Sequence, residues 1–385
     1  ERSRGLGDVY KRQALAYAAK IKLYQAYQQD ETTHAVTSIN KELLREVVSL
    51  CDQVTASNRY GLLDDFQGLD LVANENGKES VFAIQYSMND GTESAGRINW
   101  SNLLNSPGGG SPYGGDGFFL PSQDLINAYQ TDANGLPDFN YQSKSDYSWA
   151  VLNNGVYTLQ NTTPNVDPRL DFVVGRPTIT WKTYPDKPCE GWVRDKETYG
   201  YNCAKRFWVS PESSDMFNGW PWGASQLNWQ IIRYADILLW KAEALIELNE
   251  GNGLETARDL INQIRNRARN SAYVKDFNDH SKYAANYLVN PYPADVWNQD
   301  YARQALRWET RLEKALEGER FFDLVRWGIV ETTMNKYITA ESDNRIYYAN
   351  AHFTGGKDEY YPVPNNQYGF SGGKYVQNPG YAPFN

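Results

Sequence analysis

The chain has 385 residues, with 38 Lys and Arg against 47 Asp and Glu for a formal net charge of −9, and 41% of it is hydrophobic. That length holds one large core or two lobes, and an acidic balance with no basic stripe excludes a general nucleic-acid binder, because phosphate contacts need one. No run approaches the ~20 apolar residues of a membrane-spanning helix, and no signal-peptide pattern stands at residue 1.

The composition is unusual in its rings: 12 Trp, 28 Tyr and 14 Phe stand beside only 3 Met and 3 His. Such rings either fill a core or stack on a flat ligand. A sugar is a ligand of that kind. Its C–H faces pack on aromatic faces, while its hydroxyls take hydrogen bonds.

Residues 1–13 are basic and contain glycine, and they read as a scar or disordered leader. A helix is predicted over 14–29, with Leu15, Ala18, Ala19, Leu23 and Ala26 at helical spacing. A second is predicted over 37–57, with Ser38 as its cap and Leu43, Leu44, Val47, Val48, Leu50 and Cys51 inward. A shorter segment, 60–71, leads to a strand-like run at 80–86. Residues 14–86 thus read as a helical hairpin followed by a strand.

Residues 87–230 change character, being rich in Gly, Pro, Asn, Ser and aromatic residues. GGGSPYGGDG at 108–117 is loop composition. A short helix is expected at 122–130 and short strands at 170–174, 178–184 and 205–210. An irregular segment this long is usually functional. Trp181, Tyr184, Trp192, Trp208, Trp220, Trp222 and Trp229 crowd its end, and Pro221 stiffens the turn that carries Trp220 and Trp222. Cys189 and Cys203 flank a hydrophilic loop that an oxidising compartment would let them close. Cys51 reads as a lone core thiol.

Other chemistry lacks its residues. His34, His280 and His352 are scattered, with no zinc-type spacing. GGGSPYGG has no Lys-Ser/Thr of a phosphate loop, and no GxSxG elbow occurs. DANGLPDFN at 132–140 lacks the Glu that closes a calcium loop and reads as a turn. No cofactor and no metal are expected.

Helical periodicity returns at 229. NWQIIRYADILLWKAEALIELNE sets Ile232, Ala235, Leu238, Leu239, Ala242, Leu245 and Ile246 on one broad face, and GNG at 251–253 breaks it. LETARDLINQIRNRARN sets Leu254, Ala257, Leu260, Ile261, Ile264 and Ala268 inward. Together they make one helix–turn–helix unit of about 35 residues, the size of a tetratricopeptide repeat. A third helix is predicted over 308–328, and 340–385 reads as a mostly coiled tail. The expected fold is predominantly α: a tetratricopeptide-like helical-repeat scaffold, 14–86 and 231–385, carrying a large irregular loop-rich insertion with short strands at 87–230, all in one domain spanning 14–385.

Six segments carry a family resemblance. Arg233-Tyr-Ala-Asp236 followed by ILLWKAEAL resembles the helix RYADVLLxxAEAL of the SusD-like (RagB/SusD) family of outer-membrane nutrient-binding proteins. INQIRNRA at 261–268, LEGERFFDLVRWG at 316–328, YYPVPNNQYGF with YVQNPGY at 360–381, DPRLDFVVGR at 167–176 and ESVFAIQY at 79–86 are similar to that family's other motifs, in the same order. Three departures stand out. Residues 269–272 read Arg-Asn-Ser-Ala in place of the usual Gly, and Asn365 or Asn366 replaces an acidic residue after Pro364. The family's N-terminal portion, with its signal peptide, lipid-carrying Cys and first helices, has no counterpart, so the chain is expected to be N-terminally truncated.

The resemblance implies non-catalytic binding of an oligosaccharide or polysaccharide at the cell surface and its delivery to a SusC-like, TonB-dependent outer-membrane transporter. It also implies attachment to the outer membrane through a lipid anchor missing from this chain. The family's ligand platform lies in aromatic loops upstream of the RYAD helix. That places Trp181, Trp192, Trp220 and Trp222 on the platform here, with Asn218 and Arg194 as polar partners. Arg233, Asp236 and Glu243 on one helix, and Glu319, Arg320, Asp323 and Arg326 on another, read as ion pairs and caps that fix helix packing. Two rival readings have their own signatures. A glycoside hydrolase needs two carboxylates ~5–10 Å apart across a Trp-lined groove. A helical-repeat interaction scaffold needs an apolar groove on its helical face.

Overall fold

The computed structural model describes residues 2–384 apart from 93–95, 109, 148–149, 154–155, 160–163 and 183–190. Helix α1 (Arg2–Ala26) turns through a short antiparallel pair, Tyr27–Gln29 with Val36–Ile39, into α2 (Lys41–Thr55). Asn40 caps α2 where Ser38 was expected. Its side chain accepts the amides of Glu42 and Leu43 at 3.0 and 3.2 Å, whereas Ser38 lies in the strand pair and donates to Gln28 at 2.6 Å. Leu44, Val47, Cys51 and Val54 recur every three or four residues and are fully buried, as are Ala16, Ala19, Leu23 and Ala26 of α1. The small residues on α1 let the two helices pack closely. Helical backbone also continues back from Ala14 to Arg2, through the segment read as a leader.

The chain leaves this hairpin through the strand Ser80–Ile84 and returns through Trp229–Arg233, which pair antiparallel with Trp229 opposite Ile84 and Arg233 opposite Ser80. Between them the elements are short: α3 (Gln123–Ala128), α4 (Arg169–Val173), α5 (Lys196–Tyr199) and three small antiparallel pairs. The strand expected at 170–174 is mostly α4. Asp167 starts that helix by accepting the Arg169 amide on its carboxylate and the Leu170 amide on its carbonyl, both at 3.0 Å. Only Val174–Gly175 is extended, paired with Cys203–Ala204. Residues 178–182 make an isolated bridge, Ile179 to Asp276, and the rest of that expected strand lies outside the described residues. The run 205–210 is irregular because Phe207 takes a left-handed conformation, φ +69°.

The C-terminal half is helical: α6 (Tyr234–Leu248), α7 (Gly253–Asn270), α8 (Gln299–Glu313), α9 (Arg320–Arg326), α10 (Val330–Ser342) and α11 (Asn365–Phe370). Residues 229–233 are strand although their pattern continues that of the helix, since the Asp236 carboxylate takes the Arg233 amide at 2.7 Å and starts α6 there. The single helix expected over 308–328 is two. Leu316 and Gly318, at φ +67° and +86°, turn the chain between α8 and α9. Helix α6 is apolar on both sides. Ile237, Trp240, Ala244 and Leu248 share a core with α1, α2, Leu324 and Trp327. Ala235, Leu238, Leu239, Ala242 and Ile246 share another with α7 and α8. The α6–α7 pair is the repeat-like unit that the sequence pattern announced.

Candidate functional site

The charged motif residues turn inward. Arg233 contacts Glu79 at 2.8 Å, Glu313 at 3.0 Å and Glu317 at 2.7 Å. Arg267 joins Glu79 and Glu313, and Arg169 of the insertion reaches Asp167, Glu309 and Glu313. Arg206 bridges Asp70 and Glu317. Burial pushes the Glu313 carboxyl up, but Arg267, Arg233 and Arg169 outweigh it and hold its pKa down at about 2. In a second cluster Glu243 receives Arg326, the Tyr27 hydroxyl at 2.6 Å and the Trp327 indole at 2.8 Å. Burial opposes its charge and Arg326 restores it, so Glu243 stays below its ordinary range. Asp323, 2.9 Å from Arg326, is raised by burial. Glu319 pairs with Lys20 at 2.9 Å. A hydrolytic pair needs substrate between its carboxylates, and here guanidinium groups fill that place.

The aromatic loops build outward from a buried ring cluster. Tyr113, in the middle of the glycine-rich loop, lies against Trp208 at 4.6 Å between centroids, Trp181 at 6.1 Å and Trp192 at 6.3 Å. Trp181 and Trp192 meet edge-on at 4.9 Å. The Trp181 indole donates to the Tyr113 hydroxyl at 2.9 Å, and that hydroxyl donates to the Val209 carbonyl at 2.7 Å, so the polar ends of these two rings are satisfied.

Two loops close over this cluster. Residues 215–217 and 224–226 bond across, through Phe217 N–H to the Ala224 carbonyl at 2.9 Å and Gln226 N–H to the Asp215 carbonyl at 3.0 Å. The tip they hold, 218–223, carries Asn218, Trp220 and Trp222, and its Trp220–Pro221 peptide is cis. Gly223 is required twice over: its φ is +72°, and a Cβ would stand 2.9 Å from the Trp208 ring. Gly114 lies under Trp222, where a Cβ would meet the Trp222 Cβ at 3.2 Å. Arg194 ties the glycine loop from the other side, donating to the Gly115 carbonyl at 2.7 Å and pairing with Asp116 at 3.2 Å.

The six residues named from the sequence therefore divide. Trp220 and Trp222 are 63% and 52% exposed, Asn218 is exposed beside them, and the Arg194 side chain is largely exposed. Trp181 and Trp192 are 1% and 3% exposed. They present no face to solvent and lie in the buried ring cluster with Tyr113 and Trp208. Neither ring count nor neighbouring glycine separates the two groups: Gly219 and Gly223 flank the exposed pair, but Gly191 also precedes the buried Trp192. Tyr113 went unnoticed, and its only signal is that it is the one ring within 108–117. Trp100 and Phe118, 47% and 75% exposed, are two further surface rings on adjoining segments, for Asn99 bridges Ser225 and Gly117 donates to Ser106. Tyr184 and Cys189 lie outside the described residues, so the expected Cys189–Cys203 bond is not described. Among the described residues no group of three His, Cys, Asp or Glu is placed to hold a metal ion, and no helix is long and apolar enough to cross a membrane.

Comparison with known proteins places this architecture. The SusD family model matches residues 78–381. A SusD homolog from Bacteroides thetaiotaomicron superposes with a TM-score of 0.63 at 16% identity, covering 96% of this chain and 64% of its own. The surface glycan-binding protein A of Bacteroides fluxus gives 0.60 at 19% identity, with 96% and 62% covered. A laminarin-binding SusD-like protein gives 0.56 at 20% identity, with the same coverage. The chain thus spans less than two thirds of the length of these relatives. No curated protein matches its sequence.

Proposed function

The chain belongs to the SusD family, and from that premise we propose that it is a non-catalytic glycan receptor that holds an oligosaccharide or polysaccharide at the outer surface of the cell and passes it to a TonB-dependent outer-membrane transporter of the SusC-like kind. The observation that carries the binding role is the exposure of Trp220 and Trp222 on a tip whose backbone is fixed from below by Tyr113, Trp208 and Gly223. Rings held in place before binding lose little freedom on contact with a sugar face. Asn218 and Arg194 stand beside them as hydrogen-bonding groups for hydroxyls. The relatives named for glycan or laminarin binding support the ligand class. The transporter partner and attachment through a lipid anchor are part of this proposal and rest on the family reading. The buried pairing of Glu243, Glu313 and Asp323 supports the absence of hydrolysis.

The test is a neutral-glycan panel, laminarin included, against the wild type and the Trp220→Ala and Trp222→Ala variants. At least one variant is expected to keep its melting temperature and lose roughly tenfold or more in affinity, because a few exposed anchors dominate binding. Binding that is unchanged in both variants removes this platform from the reading. New reducing ends above background during incubation with a bound glycan remove the non-catalytic reading.

A further inference from the structure

Residues of α3, α8, α9 and α10 line an open cavity of about 590 Å³. Six cationic side chains line it against two carboxylates, in a chain whose net charge is −9. Most of these charges are already matched. Arg311 holds Asp124 at 2.6 Å, Lys314 holds Asp236, and Arg303 holds Glu247 at 2.7 Å and Asp300 at 2.9 Å. The nearby Glu243 and Asp323 belong to Arg326. Arg307, Arg320 and Lys336 are left over, and Lys336 is exposed at the rim. Among the described residues neither arginine makes an ion pair, and the one hydrogen bond shown for either guanidinium runs from Arg320 to the Arg307 carbonyl at 3.4 Å.

Both guanidinium groups lie over the same indole, Trp327, at 5.2 and 6.0 Å from its centroid. Trp308 and Tyr141 stand in the same cavity wall, edge-on to each other at 5.5 Å. We propose that this cavity is a second saccharide site, selective for a sugar acid, in which Arg307 and Arg320 take the carboxylate and the half-buried Trp308 receives the ring, braced by the buried Tyr141. The volume suits a small ligand better than a lone ion. A planar fork of donors matches a carboxylate in two parallel bonds. Burial, with Arg311 adding its own charge, outweighs the pull of Asp323 and Asp124 and presses the Arg320 pKa down to about 9. A guanidinium does not give up its proton near neutral pH, so the unfavourable charge stays in place until an anion relieves it. The choice of a sugar as the carrier of that anion rests on the glycan-receptor reading; the unmatched cation pair does not.

The experiment titrates D-glucuronate, D-glucose and inorganic sulfate separately into the wild type, Arg307→Gln, Arg320→Gln and Trp222→Ala, with a melting curve for each variant. Glucuronate is expected to bind the wild type and Trp222→Ala alike, and to weaken about tenfold or more in either arginine variant. Neither arginine holds a carboxylate, so both variants are expected to melt near the wild type. Should one unfold, the other carries the test, and Lys336→Ala at the exposed rim supplies a third, milder loss. No glucuronate binding, wild-type glucuronate affinity in both arginine variants, or glucose or sulfate binding as well as glucuronate overturns the proposal. Loss of neutral-glycan binding in Trp222→Ala with glucuronate binding intact separates this site from the platform, and each reading then fails or stands alone.

Discussion

The helical scaffold and the loop-rich insertion keep their shape by different means. In the scaffold, regular helices satisfy their own backbone, and buried charges join one element to the next: Glu79, Glu309, Glu313 and Glu317 meet Arg169, Arg206, Arg233, Arg265 and Arg267. In the insertion few backbone groups lie in regular elements; Arg169 and Arg206 reach from it into the scaffold's charges and Arg176 pairs with Asp171, but the loops that carry the exposed rings are ordered by rings packed under glycine turns. Paired charges are unforgiving, since removing one strands its partners in a low-dielectric interior. Packed rings lose contacts in proportion to the space vacated. The two regions should therefore respond differently to substitution.

The largest effect is expected at Glu313. Its replacement by Ala leaves Arg169, Arg233 and Arg267 each short of a partner and should destabilise the fold by roughly 5 kcal/mol in denaturant titration. Acid approaches the same point by another route. The Glu313 pKa lies at about 2 in the fold against 4.5 ordinarily, so its contribution is complete above about 4.5 and is lost as the pH falls toward 2. A Glu313→Gln variant should show a smaller acid-induced loss of stability than the wild type. An identical acid profile would show that the charges are not what joins the scaffold.

The next effect belongs to the ring cluster. Trp192→Ala empties a buried site beside Tyr113 and Trp181 and should cost roughly 3 kcal/mol. It should also weaken glycan binding, with the platform sagging into the space. A Trp192→Ala protein that melts normally yet no longer binds would return this ring to direct ligand contact. The smallest effect is expected at Arg194, whose exposed pairing with Asp116 is worth less than about 1 kcal/mol. Arg194→Ala should leave the melting temperature nearly unchanged, and any loss of affinity it shows measures a polar contact to the ligand.

What the sequence disclosed follows the same division. Periodicity located the helices because buried positions such as Leu44, Val47, Cys51 and Val54 repeat with the turn of the helix. It misplaced their ends where a side chain changes the local rule. Asp236 starts α6 five residues later than the apolar pattern does, and Leu316 interrupts what reads as one helix. In the insertion, composition identified the aromatic region but not which rings face out. Trp181 and Trp220 are the same residue type in similar loops, and long-range contacts, with Tyr113 and Trp192 among them, bury the first. The cation pair at Arg307 and Arg320 was equally illegible, because an arginine is unmatched only once the partners of its neighbours are known.

The pairing of Trp229 with Ile84 brings the two ends of the insertion side by side. Residues 85–228 therefore leave and rejoin the frame at one doorway, which is the geometry of a cassette. Swapping that cassette between related receptors is a natural way to give an old frame a new ligand. The doorway is not the only tie, however. Arg169 and Arg206 travel with the cassette, while Glu309, Glu313 and Glu317 remain behind in the frame. A chimera keeps its fold when the incoming loops bring both arginines at matching positions, and loops that lack them leave Glu309, Glu313 and Glu317 to the frame's own Arg233, Arg265 and Arg267, each acid one partner short.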